Sequence, residues 1–263
     1  MPQRPSFMLS AYVAFACFAL LMPIVIVCIL SFGGEGYLHF PPKSYSLRWF
    51  VTFFGDTRWR QSLLSSTLIA LIACVIATSI GFVAAYALVR GEMRAKKFVL
   101  SLMLLPIIVP TVITAIAMYF LTAKLHLVGN ILWIGFCHAV VALPVVLLIL
   151  LASLQGVDIN LERAALSLGA SRTRVLFKVV VPIALPGVVS AALFAFLTSF
   201  DELVISIFLA GSRSQTLPVR IWNSLHLEIE PVVAAAATFL IGVTGLVLLA
   251  DGGLRRLRNR PRQ

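Results

Sequence analysis

The sequence predicts an all-α polytopic membrane protein with six transmembrane helices, and three observations carry that prediction. Hydrophobic residues make up 60% of the 263 positions and charged ones only 12%, whereas soluble domains are roughly half apolar. The apolar residues gather into six runs, near 8–31, 63–89, 98–121, 131–154, 183–209 and 232–250. Each is long enough for the about 20 residues that a membrane helix needs. The runs are apolar on every side, whereas the strands of a membrane barrel alternate over about ten residues, so each predicts a helix.

Taken in order, the first run follows Arg4 and is about twice as long as the h-region of a signal peptide, so it reads as a retained span. Residues 32–61 form the longest external loop, where Gly33, Gly34, Gly36, Pro41 and Pro42 break the helix. Residues 1–61 are thus a first span with its loop, 62–250 a five-helix core, and 251–263 a basic tail. The run at 98–121 contains Pro106 and Pro110, which predict a kink that frees backbone carbonyls. Between 211 and 231, the segment HLEIE predicts a short helix at the interface, with Trp222 at the depth that suits it.

The net charge of +11 does not point to nucleic acid, because the cations sort by loop. Arg4, Arg90, Arg94, Lys96, Lys97, Arg163, Arg172, Arg174, Lys178 and the tail LRRLRNRPR all fall on one side if the spans alternate. By the positive-inside rule that side, with both termini, is cytoplasmic, and the tail anchors near anionic lipid. Cys17, Cys28, Cys74 and Cys137 lie in predicted spans at scattered spacings, which supports neither a disulfide framework nor a metal site. His39, His126, His138 and His226 have no ligand spacing and read as structural or interfacial.

The connection at 156–182, GVDINLERAALSLGASRTRVLFKVVVP, reads as helix, turn, helix. Gly156 ends the fourth span, Asp158 or Asn160 caps a new helix, Gly169 suits a left-handed stop, and Ser171 caps the next helix until Pro182 interrupts it. Leu161, Ala165 and Leu168 share a face, with Ala164 beside them. Small alanines there allow a partner backbone to approach closely; a surface helix lying on lipid headgroups is the competing reading. A DNA-reading helix-turn-helix is excluded, since a segment tied to the membrane at both ends has no third helix to complete a small domain.

The stretch ERAALSLGASRTRVLFKVVVPIALP resembles the cytoplasmic loop of binding-protein-dependent ABC importer permeases of the MetI-like superfamily. Their pattern runs E-A-A, three residues, Gly, nine residues, Ile, any residue, Leu-Pro. Ala164, Ala165, Gly169 and Pro182 match at the right spacing, and Val179 and Val181 are conservative replacements. The glutamate position holds Arg163; Glu162 lies one residue earlier, about 100° around a helix, so the family role of that glutamate is not carried over. LLPIIVPTVITAIAMYFL, SFDELVISIFLAG and TLPVRIWNSLHLEIEPVVAAAATFLI are similar to the spermidine/putrescine permease branch.

That resemblance implies a type I ABC importer permease in the bacterial inner membrane. Its partners would be a second, homologous permease chain, two cytosolic ATPases and an extracytoplasmic binding protein. Glu162, Arg163, Ala164, Ala165, Leu168, Gly169, Ala170, Ser171 and Arg172 would form the coupling surface for the ATPase. Without a G-x-x-x-x-G-K-[ST] run the chain has no P-loop, so ATP and Mg are expected on the partner and no cofactor here. A permease of the same superfamily for an opine, an aminophosphonate or ferric ion is the nearest alternative. A proton-coupled secondary transporter is the alternative from another class.

Inside the fifth run stand two adjacent acids, Asp201 and Glu202. Treated as one helix, Ser190, Thr198, Ser199, Asp201, Glu202 and Ser206 fall on one half of the circumference. A carboxylate at the centre of a membrane helix costs roughly 2.5 to 3.5 kcal/mol, so two demand a wet or protein-lined face. Thr198, Ser199, Asp201, Glu202 and Ser206, with Phe200 available for packing or a cation–π contact, are therefore expected to line a path for a cationic substrate. The competing reading has both acids at the external interface, solvated or paired with Arg213. Pro182 and Pro186, like Pro106 and Pro110, are expected helix breaks.

Overall fold

The computed structural model describes residues 7–92, 94–227 and 230–258; Arg4, Arg260 and Arg262, and Glu228 and Ile229 of the HLEIE segment, lie outside them. The chain is helical throughout its ordered elements: α1 Phe7–Ser31, α2 Arg48–Gly55, α3 Thr57–Arg90, α4 Lys96–Ile108, α5 Thr111–Lys124, α6 Ile131–Gln155, α7 Ile159–Ser167, α8 Arg172–Val175, α9 Val181–Phe200, α10 Val204–Leu209, α11 Leu217–Leu227 and α12 Val232–Arg258. Five stretches among the described residues are long and apolar enough to cross a membrane: Met8–Ser31, Thr57–Arg90, Ile131–Gln155, Arg172–Phe200 and Val232–Gly253. The sixth expected span is split into α4 and α5, which meet at 99°.

That split corrects the expectation of a kinked but single third span. The helix ends at Val109 and restarts after Pro110, which stands at the N-cap of α5 with ψ near 128°. Val109 is extended, as the residue before a proline tends to be. Pro106 and Pro186 sit inside α4 and α9 without breaking either. Pro182 does not interrupt its helix, because Leu176–Val180 widens into a π-helical turn just before it. The wider turn moves the Lys178 carbonyl away from a proline ring that has no N–H to offer it.

The chain divides into two compact units, one of residues 1–60 with 220–243 and the other of 61–219 with 244–263. In the first unit, the loop after α1 folds on itself through Gly34 N–H to the Ser44 carbonyl (3.0 Å) and Ser46 N–H to the Phe32 carbonyl (2.7 Å). It then forms α2, a helix not expected from the sequence, which buries Trp49 and Phe53. Phe53 and Phe54 pack on Phe239 with ring centroids 5.4 and 5.6 Å apart. Asp56 starts α3 by accepting from the N–H groups of Arg58 (2.7 Å) and Trp59 (3.2 Å). Burial pushes its carboxyl up, but those N–H groups together with the nearby Arg58 and Arg220 charges hold it below the usual carboxylate range. The helix after Gly211 is α11, which ends at Leu227 and so lies largely before the HLEIE segment.

The core of the second unit is the contact between α6 and α9, continued by α4. Small residues set that contact: a methyl group on Gly187 of α9 would overlap the Ser153 side chain of α6, and Ala142, Ala184, Ala191 and Ala195 are buried beside it. Close approach of this kind suits membrane helices, which gain no hydrophobic effect from meeting one another in lipid. A second cluster joins Ala115 of α5, Ile134 and Cys137 of α6, and Ile205 and Leu209 of α10. The second half of the broken third span thus packs against the short helix α10.

Candidate functional site

The fifth span is also discontinuous, and its break falls at the two acids. α9 ends at Phe200, Asp201 is its C-cap (φ −98°, ψ 3°), and a new helix begins at Val204. The single helical wheel expected across 190–206 therefore does not exist. Glu202 serves the next helix, its Oε1 accepting from the Ile205 N–H at 2.9 Å. One acid therefore closes α9 and the next one caps α10.

The surroundings of the break are fixed by a histidine. His138 of α6 is 1% exposed, with Nδ1 at 2.8 Å from Ser199 Oγ and Nε2 at 3.2 Å from Ser206 Oγ. Those serines lie on α9 and α10, so one imidazole ties both sides of the break to α6. A neutral imidazole has one donor and one acceptor nitrogen, and a hydroxyl can answer either, so both partners are satisfied. Ser199 and Ser206, expected on the path, are thereby buried within the protomer. Thr198 is half-buried and gives its hydroxyl to the Phe194 carbonyl (2.8 Å), and Phe200 is buried and stacks on Phe196 at 5.3 Å. Of the six expected path residues, only Asp201 is exposed, with Glu202 half-exposed beside it.

Three sources of negative potential converge at this corner. Two are the carboxylates, and the third is the C-terminus of α9, whose last carbonyls have no intrahelical donor. Among the described residues no cation lies within ion-pair distance of either acid. Arg213, considered as a partner, instead lines a separate hollow with His126 and Asn130. No group of three metal-ligating side chains converges among the described residues.

The second constellation is the elbow between α6 and α9. Asp158 caps α7 by accepting from the Asn160 N–H (2.9 Å), Gly169 takes φ +83°, and Ser171 caps α8 by accepting from the Arg174 N–H (3.4 Å). Nothing crowds Gly169, so it is the left-handed backbone alone that calls for glycine there. Glu162 turns inward: its Oε1 accepts from Arg90 Nε at 2.7 Å, and Arg90 Nη2 donates to the Val157 carbonyl at 2.6 Å. Tyr86 O–H approaches Glu162 Oε2 at 3.5 Å. Arg163, Ala164, Leu168, Ser171 and Arg172 are exposed, whereas Ala165 and Ala170 are half-buried against the core.

These two constellations are joined by one element. From Arg172, through the π turn, to Phe200 the chain is a continuous 29-residue helix, about 43 Å long at 1.5 Å per residue. It leaves the elbow at one end and reaches the acidic corner at the other. Arg90, read from the sequence as a topology charge, is half-buried and holds Glu162, while His138, read as structural or interfacial, is structural, a buried tie between Ser199 and Ser206. For Arg90 a signal existed: an acid at 162 in place of 163 points about 100° away around α7, and there it meets Tyr86 and Arg90 of α3.

Residues 77–262 match the family profile described as "Binding-protein-dependent transport system inner membrane component". The spermidine/putrescine transport system permease protein PotC of Haemophilus influenzae is 32% identical over 251 residues, covering 93% of this chain and 95% of that protein. The putrescine transport system permease protein PotI of Escherichia coli strain K12 is 29% identical over 250 residues, covering 90% and 89%. Among solved structures, a chain of a bacterial ABC transporter that imports the acidic polysaccharide alginate superposes with a TM-score of 0.76 at 14% identity, covering 96% of this chain and 99% of that one. A chain of the MetNI methionine ABC transporter in an inward-facing conformation gives 0.59 at 19% identity, covering 76% and 94%.

Proposed function

Because the chain belongs to the family of inner membrane components of binding-protein-dependent transport systems, we propose that it is the permease subunit of an ATP-driven importer of polyamines. The observation that carries the substrate class is the acidic corner, where Asp201 and Glu202 lie unpaired among the described residues at the C-terminal end of α9. Polyamines are flexible chains of protonated amines, and such a corner offers them carboxylates and helix-end carbonyls together. The relatives named for spermidine and putrescine transport, similar along nearly the whole chain, support the same class.

In this reading the first span with its loop (1–61) precedes a permease core (62–250) and a cytoplasmic tail (251–263), and both termini face the cytoplasm. A second permease chain completes the path, two cytosolic ATPases hold ATP and Mg, and an extracytoplasmic binding protein delivers the substrate. The elbow 156–182 docks on the ATPase. Closure of the ATPases pushes α7 and α8, the long helix carries that displacement to the corner, and access alternates from one side to the other. Asp201→Asn combined with Glu202→Gln is expected to lower uptake of labelled spermidine about tenfold, the loss of roughly 1.4 kcal/mol of attraction, with the amount of assembled complex unchanged. Undiminished uptake by that variant rejects the reading.

A further inference from the structure

Beside the elbow lies a hollow of about 220 Å³ whose charged lining is Arg90, Arg163, Arg172 and Glu162. Three arginines and one glutamate line it, and the glutamate is already engaged by Arg90 at 2.7 Å. The surplus belongs to Arg163 and Arg172, both exposed, and Leu166 and Ile159 supply apolar walls. Among the described residues no acid pairs with either arginine. Leu168, 89% exposed, stands at the end of α7 immediately before the Gly169 turn and does not line the hollow.

We infer that this hollow is a receptor for an acidic side chain, an Asp or Glu on the rim of the ATPase cleft that receives the elbow. The inference rests on the proposed docking of the elbow to an ATPase and specifies its polarity. Guanidinium groups are weakly hydrated and planar, and they hold carboxylates through paired N–H donors, so two of them in one concave site select an acid over a neutral group. Ile159 and Leu166 supply apolar contact beside the acid, and the arginines fix its register. With Glu162 turned inward by Arg90, no free acid remains on α7 to meet a basic cleft. The ATPase that fits this chain therefore presents negative charge where α7 and α8 enter.

The test uses the intact transporter extracted in mild detergent and pulled down through this chain. Arg163→Glu with Arg172→Glu is expected to lower recovery of the ATPase about tenfold or more, because like charges brought face to face repel. Arg163→Gln with Arg172→Gln is expected to give a smaller loss, and raising the salt is expected to release the ATPase from the wild type but to matter less for the Gln variant. Recovery of the second permease chain in the same pull-down shows that the variants fold. Undiminished ATPase recovery from the Glu variant overturns the inference. Loss of binding to anionic vesicles with the ATPase retained overturns it too, and assigns the arginines to lipid headgroups. Ala165→Trp separates the two levels: if it leaves the ATPase bound, the docking of the elbow itself fails. If it releases the ATPase while the Glu variant retains it, docking stands and the acid receptor does not.

Discussion

The chain places carboxylates at both ends of its 29-residue helix, and it treats them in opposite ways. Glu162, at the elbow, is 7% exposed and held by Arg90, whose other nitrogen is tied to the Val157 carbonyl. Asp201 and Glu202, at the far end, have no ion-pair partner among the described residues, and Asp201 is open. Glu162 is fixed by a cation, whereas Glu202 accepts only from a backbone N–H. Three acids that look alike on a hydropathy plot thus stand in different surroundings, one closed in an ion pair and two without one among the described residues.

The comparison can be broken at the elbow first. Glu162→Ala leaves the Arg90 guanidinium with a single carbonyl partner in a site where its side chain is 16% exposed. Removing one member of a buried pair costs about 3 kcal/mol. We expect a marked fall in the thermal midpoint of the detergent-extracted chain, measured by fluorescence-detected size exclusion, whereas Asp201→Asn with Glu202→Gln leaves that midpoint in place. Equal midpoints for Glu162→Ala and the wild type would erase the distinction.

A smaller effect is expected at the frame of the corner. His138→Ala strips Ser199 and Ser206 of their shared partner and leaves two buried hydroxyls to be satisfied otherwise. The cost is about 1–3 kcal/mol of stability. Because the buried imidazole holds the two sides of the break, the KM for spermidine should rise more than the maximal rate falls. His138→Gln, which can also offer one donor and one acceptor, should recover part of that affinity in the same uptake assay. An Ala variant with unaltered KM shows that the break is held by packing alone.

How far the sequence foretold this arrangement differs between the two ends. The spans were legible because apolar composition leaves little else for long unbroken runs to be. The caps of the elbow were legible because Asp158, Gly169 and Ser171 act on backbone groups only a few residues away. The break at Asp201 was not, since the apolar run LVISIFL continues past it and a wheel assumes a helix that never stops. Nor were the partnerships of Glu162 with Arg90 and of His138 with Ser199 legible, for they join residues 72 and 61 positions apart. Such pairs follow from how α7 meets α3 and α6 meets α9. Periodicity within one segment cannot express them.

Whether the far corner projects negative potential into the path is read most directly from a thiol placed beside it. In a chain whose four native cysteines are replaced, Leu203→Cys, half-exposed next to both acids, can be labelled with methanethiosulfonate reagents of opposite charge in the assembled transporter. Relative to a free thiol, the cationic reagent should react about tenfold faster than the anionic one, because a bare acidic site concentrates cations. Spermidine should slow the labelling, and Asp201→Asn with Glu202→Gln should abolish the preference. Equal rates for the two reagents with the acids intact, unaffected by spermidine, would contradict the account.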